Sequence, residues 1–387
     1  AKDLQRDWNN LPMILGTSIA GVLRKDCNDE KLFGFQDAND AEGSKVIISN
    51  ALLVDEKWKV HEELLYKKTP FLKIFEHLPI REHTAITSKG VAKDTSKYDE
   101  EVVYKGTRFK FSMEFLEKET FKEILALLVS PSFRLGGGST KGFGKFKIVE
   151  IKTALLAIED YTSSLNQNIG EKISLTHASS KYTTYTLKLK PDDFFMFGSG
   201  FGDSDADMTP VMEQVVDYEN AKLSEQQILI PASSLKGAIA HRTTYHYNRL
   251  LGNTIEANNG IETIAEIFGE AKNSKNNING SKGKLLISDC FKPLQNNTKT
   301  FDHVAIDRFT GGAIDGALFQ EKTIADDGTS YTIEILLDDS LKDAYLEAFE
   351  AALLDITTGM LPLGGATTKG HGVFSGVVLE NGVNLSI

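Results

Sequence analysis

Cysteine is nearly absent: the 387 residues hold only Cys27 and Cys290, at unmatched places in the two halves. They supply neither a disulfide framework nor a CxxC metal spacing, so a reducing cytoplasm is the expected setting. No apolar run approaches the roughly 20 residues that span a bilayer. Nor do the first residues read as a secretory signal, so no membrane partner is expected. The eight histidines form no HExxH and no Cys/His cluster, and His241 and His246 miss the i,i+4 spacing of a helical metal pair. Two glycine-rich loops lack the Walker pattern, and they follow a helix rather than opening one, as a dinucleotide fingerprint would. Ser233 and Lys236 have no SDN or KTG partners for acyl-enzyme chemistry. These absences leave no organic cofactor and little room for a stand-alone small-molecule enzyme.

What the chain does have is a repeat. Leu15-Gly16-Thr17-Ser18-Ile19-Ala20-Gly21 returns as Pro231-Ala232-Ser233-Ser234-Leu235-Lys236-Gly237. Leu32-Phe33-Gly34 returns as Ile267-Phe268-Gly269, the run Ser44 to Ser49 as Gly283 to Ser288, and His83-Thr84-Ala85-Ile86 as His303-Val304-Ala305-Ile306. Each half then closes on a glycine loop, Leu135 to Gly144 and Leu363 to Gly372. Five matched blocks in one order indicate two homologous domains in tandem. The boundaries read as 1–158, a Ser/Asn/Gln/Thr-rich linker at 159–180, and 181–387.

Period-two alternation predicts strands at Arg108–Met113, Thr183–Leu189 and Tyr331–Leu336, and closing strands such as Lys145–Val149. Helices are expected after Ser18, from Ser234 through Leu250, over Phe121–Val129 and over Leu341–Leu354, the first and second with serine caps. The fold class is therefore α+β, and the order of elements fits a ferredoxin-like split unit. The first copy lacks the opening strand of the second, and that strand is expected to lie outside this numbering.

A net charge of −11 argues against coating nucleic acid by bulk electrostatics. Lysines 141, 145, 147, 236 and 369, however, stand in or beside the repeated loops, and a local basic stripe can hold a phosphate backbone. The segment Gly198 to Asp207 alternates glycines and aspartates without EF-hand spacing. It reads either as a solvated surface loop or as carboxylates beside a scissile phosphodiester.

The ordered motif set resembles the RAMP superfamily of CRISPR proteins, above all the backbone subunits of type III effector complexes, and most closely the fused two-domain backbone subunit of a type III-D variant. That resemblance implies two tandem ferredoxin-like, modified RNA-recognition-motif domains along a guide RNA. β-hairpin thumbs are then expected at Thr84–Glu101 and Val304–Thr323. It implies guide-RNA contacts from Ser18, Arg24, Gly137, Gly138, Lys141 and Phe143 in the first copy. In the second it implies them from Ser233, Ser234, Lys236, Arg242, His303, Arg308, Gly364, Gly365, Lys369 and His371. It also implies target-RNA cleavage with Mg²⁺ or another divalent cation, by Asp207, then Asp205, with Asp203 beside them and Asp3 in the first copy. Asp205 and Asp207 are the expected metal ligands. Partners would be guide RNA, single-stranded target RNA and other type III subunits. The competing expectation is a scaffold whose neighbours do the cutting.

Overall fold

The computed structural model describes residues 4–27, 30–37, 40–87, 90–116, 121–157, 159, 161, 164–176, 180–254, 264–270, 279–341 and 343–385. In the second unit the strand Tyr182–Pro191 turns Tyr185, Leu187 and Leu189 inward and leaves Lys188 and Lys190 exposed, the period-two pattern of a strand with one buried face. It lies between Tyr331–Asp338 and Phe374–Glu380, antiparallel to both, with Leu187 opposite Ile333 on one side and Val378 on the other. Leu285–Ile287 extends the sheet beyond Tyr331–Asp338, and Val383–Asn384 closes the far edge. The helices Ala232–Leu250 and Asp343–Thr357 pack on this sheet. Phe349, Ala352, Leu353 and Ile356 recur at helical spacing and join Leu235, Ile239, Tyr185, Leu187 and Ile335 in one core.

The first unit repeats the helices, at Gly16–Asp26 and Phe121–Leu128, but not the sheet. Val46–Ile48 pairs with Met113–Phe115, while Ala51–Leu53 pairs with Met13–Ile14 and Phe109–Lys110. The strand expected over Arg108–Met113 thus divides in two, and at the break Ser49 and Ser112 exchange hydrogen bonds. Among the described residues nothing takes the place of Tyr182–Pro191. The closing strand expected at Lys145–Val149 is accordingly not a strand, because the ladder it would join is missing. Phe111, Met113, Phe146 and Ile148 stay half-buried, whereas Ile333 and Ile335 are sealed.

A second-unit hairpin, Val216–Asp217 and Lys222–Leu223, reaches into the first unit. Its Tyr218 packs edge-on against Phe71 at 5.0 Å, donates to the Val54 carbonyl at 2.9 Å and accepts from the Arg108 N–H at 3.0 Å. Much of the 159–180 stretch is also tied to the first unit. Leu165 is buried in its core, Asn166 bonds Val60 through both amide atoms, and Glu171–Lys172 pairs with Lys152–Thr153.

Candidate nucleic-acid interface

Each glycine loop is one tight turn, Ser139–Lys141 or Thr367–Lys369, held between left-handed residues. Those residues are Gly138 and Gly142 in the first loop, Ala366 and Gly370 in the second. Gly144 and Gly372 close the turns so tightly that a Cβ on either would lie on the carbonyl oxygen of Leu135 or Leu363. Their φ angles of 75° and 77° add the second reason for glycine.

Each loop faces the root of a β-hairpin, Ile80–His83 with Tyr98–Glu101 and Thr298–His303 with Phe319–Ala325. Register sets His83 opposite Tyr98 and His303 opposite Phe319, and the rings stack at 5.0 and 4.7 Å. A carboxylate lies behind each imidazole, Glu100 at 3.3 Å and Glu321 at 3.0 Å. The loop lysine covers the stack: Lys141 Nζ is 5.2 Å from the Tyr98 ring centre and Lys369 Nζ is 5.1 Å from that of Phe319. Lys141 also donates to Tyr98 Oη at 2.6 Å. Phe143 meets His83 edge-on at 6.0 Å, and His371 packs between Phe194 and Phe301. Burial lowers the His83 pKa, Glu100 opposing it, so that ring favours the neutral, stacking form. The expected residues Lys141, Phe143, His303, Lys369 and His371 therefore fall into two like clusters of cation, stacked ring and hairpin.

The first cluster continues into the second unit. Its loop lies against the start of the 232–250 helix, where a methyl on Gly142 would strike Ala232 Cβ at 2.6 Å. Lys236 Nζ donates to Thr140 Oγ1 at 3.0 Å, which brings Gly137, Gly138 and Lys141 together with Ser233, Ser234 and Lys236 across the repeat boundary. Burial, and then the charge of Lys141, lower the Lys236 pKa to about 8. Lysines crowded in this way gain most from a bound polyanion.

The serine caps are not there. Both helices begin earlier than the serines, at Gly16 and Ala232, and neither has a cap from its own flank. The first N–H is instead bonded by a side chain from a distant turn, Asn50 Oδ1 to Gly16 N at 2.9 Å and Asp289 Oδ1 to Ala232 N at 2.8 Å. Ser18, Ser233 and Ser234 lie within the first turns. Sequence reading missed Asn50 and Asp289, although both follow a serine at matched repeat positions. It also missed Arg81, whose guanidinium binds both oxygens of Glu213 at 2.5 and 2.9 Å and Asp289 at 2.7 Å. The same group lies over the Phe143 ring at 5.1 Å.

The remaining expected contacts are scattered. Arg24 stands in the last turn of its helix, well away from Ser18. Arg242 is paired with Asp355, which also takes His246 Nε2 at 2.6 Å. Arg308 is exposed in the tip of the second hairpin, next to Phe309, which is 91% exposed. Gly364 and Gly365 rest on the Met196 backbone.

The acidic loop lies at the root of that hairpin. Asp203 accepts from the N–H groups of Asp205 and Ala206, and Lys322 Nζ reaches Asp203 at 2.5 Å and Asp205 at 3.3 Å. The hydrogen bond from Lys322 holds the Asp203 pKa below the usual carboxylate range. Asp207 accepts from the Gln320 N–H at 2.8 Å. Hard oxygen donors suit Mg²⁺, but an ammonium already stands between two of them. Among the described residues no three His, Cys, Asp or Glu side chains gather as a metal site. The loop as found does not fit a divalent ion. Asp3 lies outside the described residues. Among those residues, no helix is long and apolar enough to cross a membrane.

A family model, the RAMP superfamily, matches residues 2–147 and 168–375. No curated protein matches the chain.

Proposed function

The chain belongs to the RAMP superfamily, which makes it a CRISPR-associated RNA-binding protein, and we propose that it is a guide-RNA-holding backbone subunit of a type III effector complex. The observation that carries this reading is the doubled cluster of loop lysine, stacked hairpin pair and loop aromatic. Cations beside π-faces hold a phosphate backbone and its bases without demanding a sequence. The reading takes each unit as a ferredoxin-like RNA-recognition fold, supported in the second by the spatial order of its four principal strands: second, third, first, fourth in chain order. It takes the hairpins as thumbs, supported by the apolar tip residues Ile306, Phe309 and Ile314. The two-domain chain is read as a fused pair of the type III-D kind.

Replacing Lys141, Lys236 and Lys369 together with alanine tests it. Guide-RNA affinity should fall alike for unrelated sequences, and the log–log salt slope should flatten by about 0.7 per lost phosphate contact. Unchanged affinity and slope would reduce the loops to plain turns.

A second reading adds target cleavage at the acidic loop, favoured by its place at the thumb root. A flipped-out base would bring the ribose 2′-OH in line with the next phosphate. Asp207 or Asp205 would take its proton as general base while the 2′-oxygen bonds phosphorus and the P–O5′ bond breaks, the leaving 5′-oxygen taking a proton from water. Because the residues do not assemble a metal site, no step is assigned to a cation. Assembled complex incubated with target RNA, with and without Mg²⁺, decides between cutter and scaffold. Cleavage that vanishes at this subunit's position in Asp207→Ala or Asp205→Ala, with guide retention intact, supports the cutter. Cutting that survives both substitutions leaves the scaffold.

A further inference from the structure

The joint between the units contains a buried ion cluster that the RNA reading leaves unused. Arg81 comes from the first hairpin, Glu213 from a second-unit strand and Asp289 from the turn that caps the 232–250 helix. Their side chains are 9%, 6% and 9% exposed. Burial works against the charge on Arg81, but the bonds to Glu213 and the field of Asp289 raise its pKa all the same. Burial raises that of Asp289, with Arg81 opposing. A planar guanidinium that engages one carboxylate with two nitrogens and a second with a third accepts one geometry and few others.

Other contacts cross the joint, among them the Tyr218 hairpin and the first glycine loop, with Lys236 Nζ on Thr140 Oγ1 and an exposed ion pair of Lys145 Nζ and Glu334. These two anchor one unit to the other, but among the described residues neither brings a buried ion pair, so neither has the directional demand of the Arg81 cluster. The outer faces of the chain show what the joint is without its ions. The residue matched to Arg81, two before the repeated histidine, is Phe301, packed on Phe194 at 4.9 Å. The residue matched to Asp289 is Asn50, which keeps the helix cap but not the charge. Arg6 bridges Pro12 as Met212 pairs with Ile228, which places Asp7 where Glu213 stands. Asp7 spends its carboxylate on the N–H groups of Asn9 and Leu11 in its own turn.

We propose that Arg81, with Glu213 and Asp289, is the register key of this joint: it sets how the second unit sits on the first and distinguishes that neighbour from a second copy of the chain. Buried ions are weak evidence for stability, and their best-attested use is to exclude alternative registers. Arg81 is thus a positioning residue. Nothing in the proposal depends on RNA.

The test places spin labels on the full chain at Lys122→Cys and Glu347→Cys, one on a core helix of each unit, since the native Cys27 and Cys290 are buried. The parent should show one narrow inter-label distance. Arg81→Met strands two carboxylates, so its melting temperature should drop and its distance distribution broaden. The triple variant Arg81→Met, Glu213→Leu, Asp289→Asn removes all three charges and keeps the cap that Asn50 shows to be sufficient. It should recover the melting temperature while the distribution stays broad and its maximum shifts. Recovery of the parent's narrow distance in the triple variant would overturn the proposal, because packing alone would then set the register. That variant keeps the test decisive even if Arg81→Met fails to fold.

Discussion

The two glycine loops are nearly identical in sequence and differ in what faces them. The first, at 135–144, abuts a helix start from the other unit and gains Lys236, Ala232 and the Arg81 cluster as neighbours. The second, at 363–372, repeats the lysine, the stacked pair and the loop aromatic, and among the described residues no helix start packs on it. Repetition therefore copies the hairpin-facing half of the cluster, whereas among the described residues the joint-facing half is found once. The units differ in the same way inside. A five-stranded sheet seals one core; in the other unit no described strand takes the central place, and Phe111, Met113, Phe146 and Ile148 stay half-buried.

The largest difference should be in the cores. Ile335→Ala removes a side chain with 0% exposure and should cost about 2–5 kcal/mol in denaturant unfolding. Its repeat counterpart Met113 is only half-buried, so Met113→Ala should cost well under that. Equal costs would mean that the first core is as closed as the second. The joint comes next. Lys236 must be protonated to hold a phosphate, and with a pKa of about 8 it is charged at pH 7 and mostly neutral at pH 9. Guide affinity should therefore fall as pH rises through 8, by up to about tenfold per unit. Binding titrations of Lys236→Ala should lose that dependence, while Lys369→Ala should retain it. The smallest effect separates the loops themselves. Lys141→Ala and Lys369→Ala should each flatten the salt slope by no more than about 0.7. A zero change for Lys369 alone would show that the outer loop needs a neighbour before it meets RNA.

Local chemistry wrote much of this into the chain. Alternation in Thr183–Leu189 and Tyr331–Leu336 marked strands because a sheet with one wet face demands period two. Helical spacing and the loop glycines were equally legible, since backbone strain is set by neighbouring atoms. The lysines, aromatics and aspartates could be picked out one by one. Their grouping was not legible: Lys236 meets Thr140 across 96 positions, and Arg81 meets Asp289 across 208. Serine next to a helix start looked like a cap, yet Asn50 and Asp289 reach in from turns 34 and 57 residues away. A polar group is satisfied by whatever the fold brings within 3 Å, and sequence order does not record that. The closing strand at 145–149 failed for the same reason, because a strand is defined by a partner and its partner's place is empty among the described residues. Sequence alone determined the repeat, the helices, the central strands of the second unit and the stock of cations, rings and acids. Only the tertiary structure decided which of them share a site, because hydrogen bonds and buried charges are chosen by distance in space.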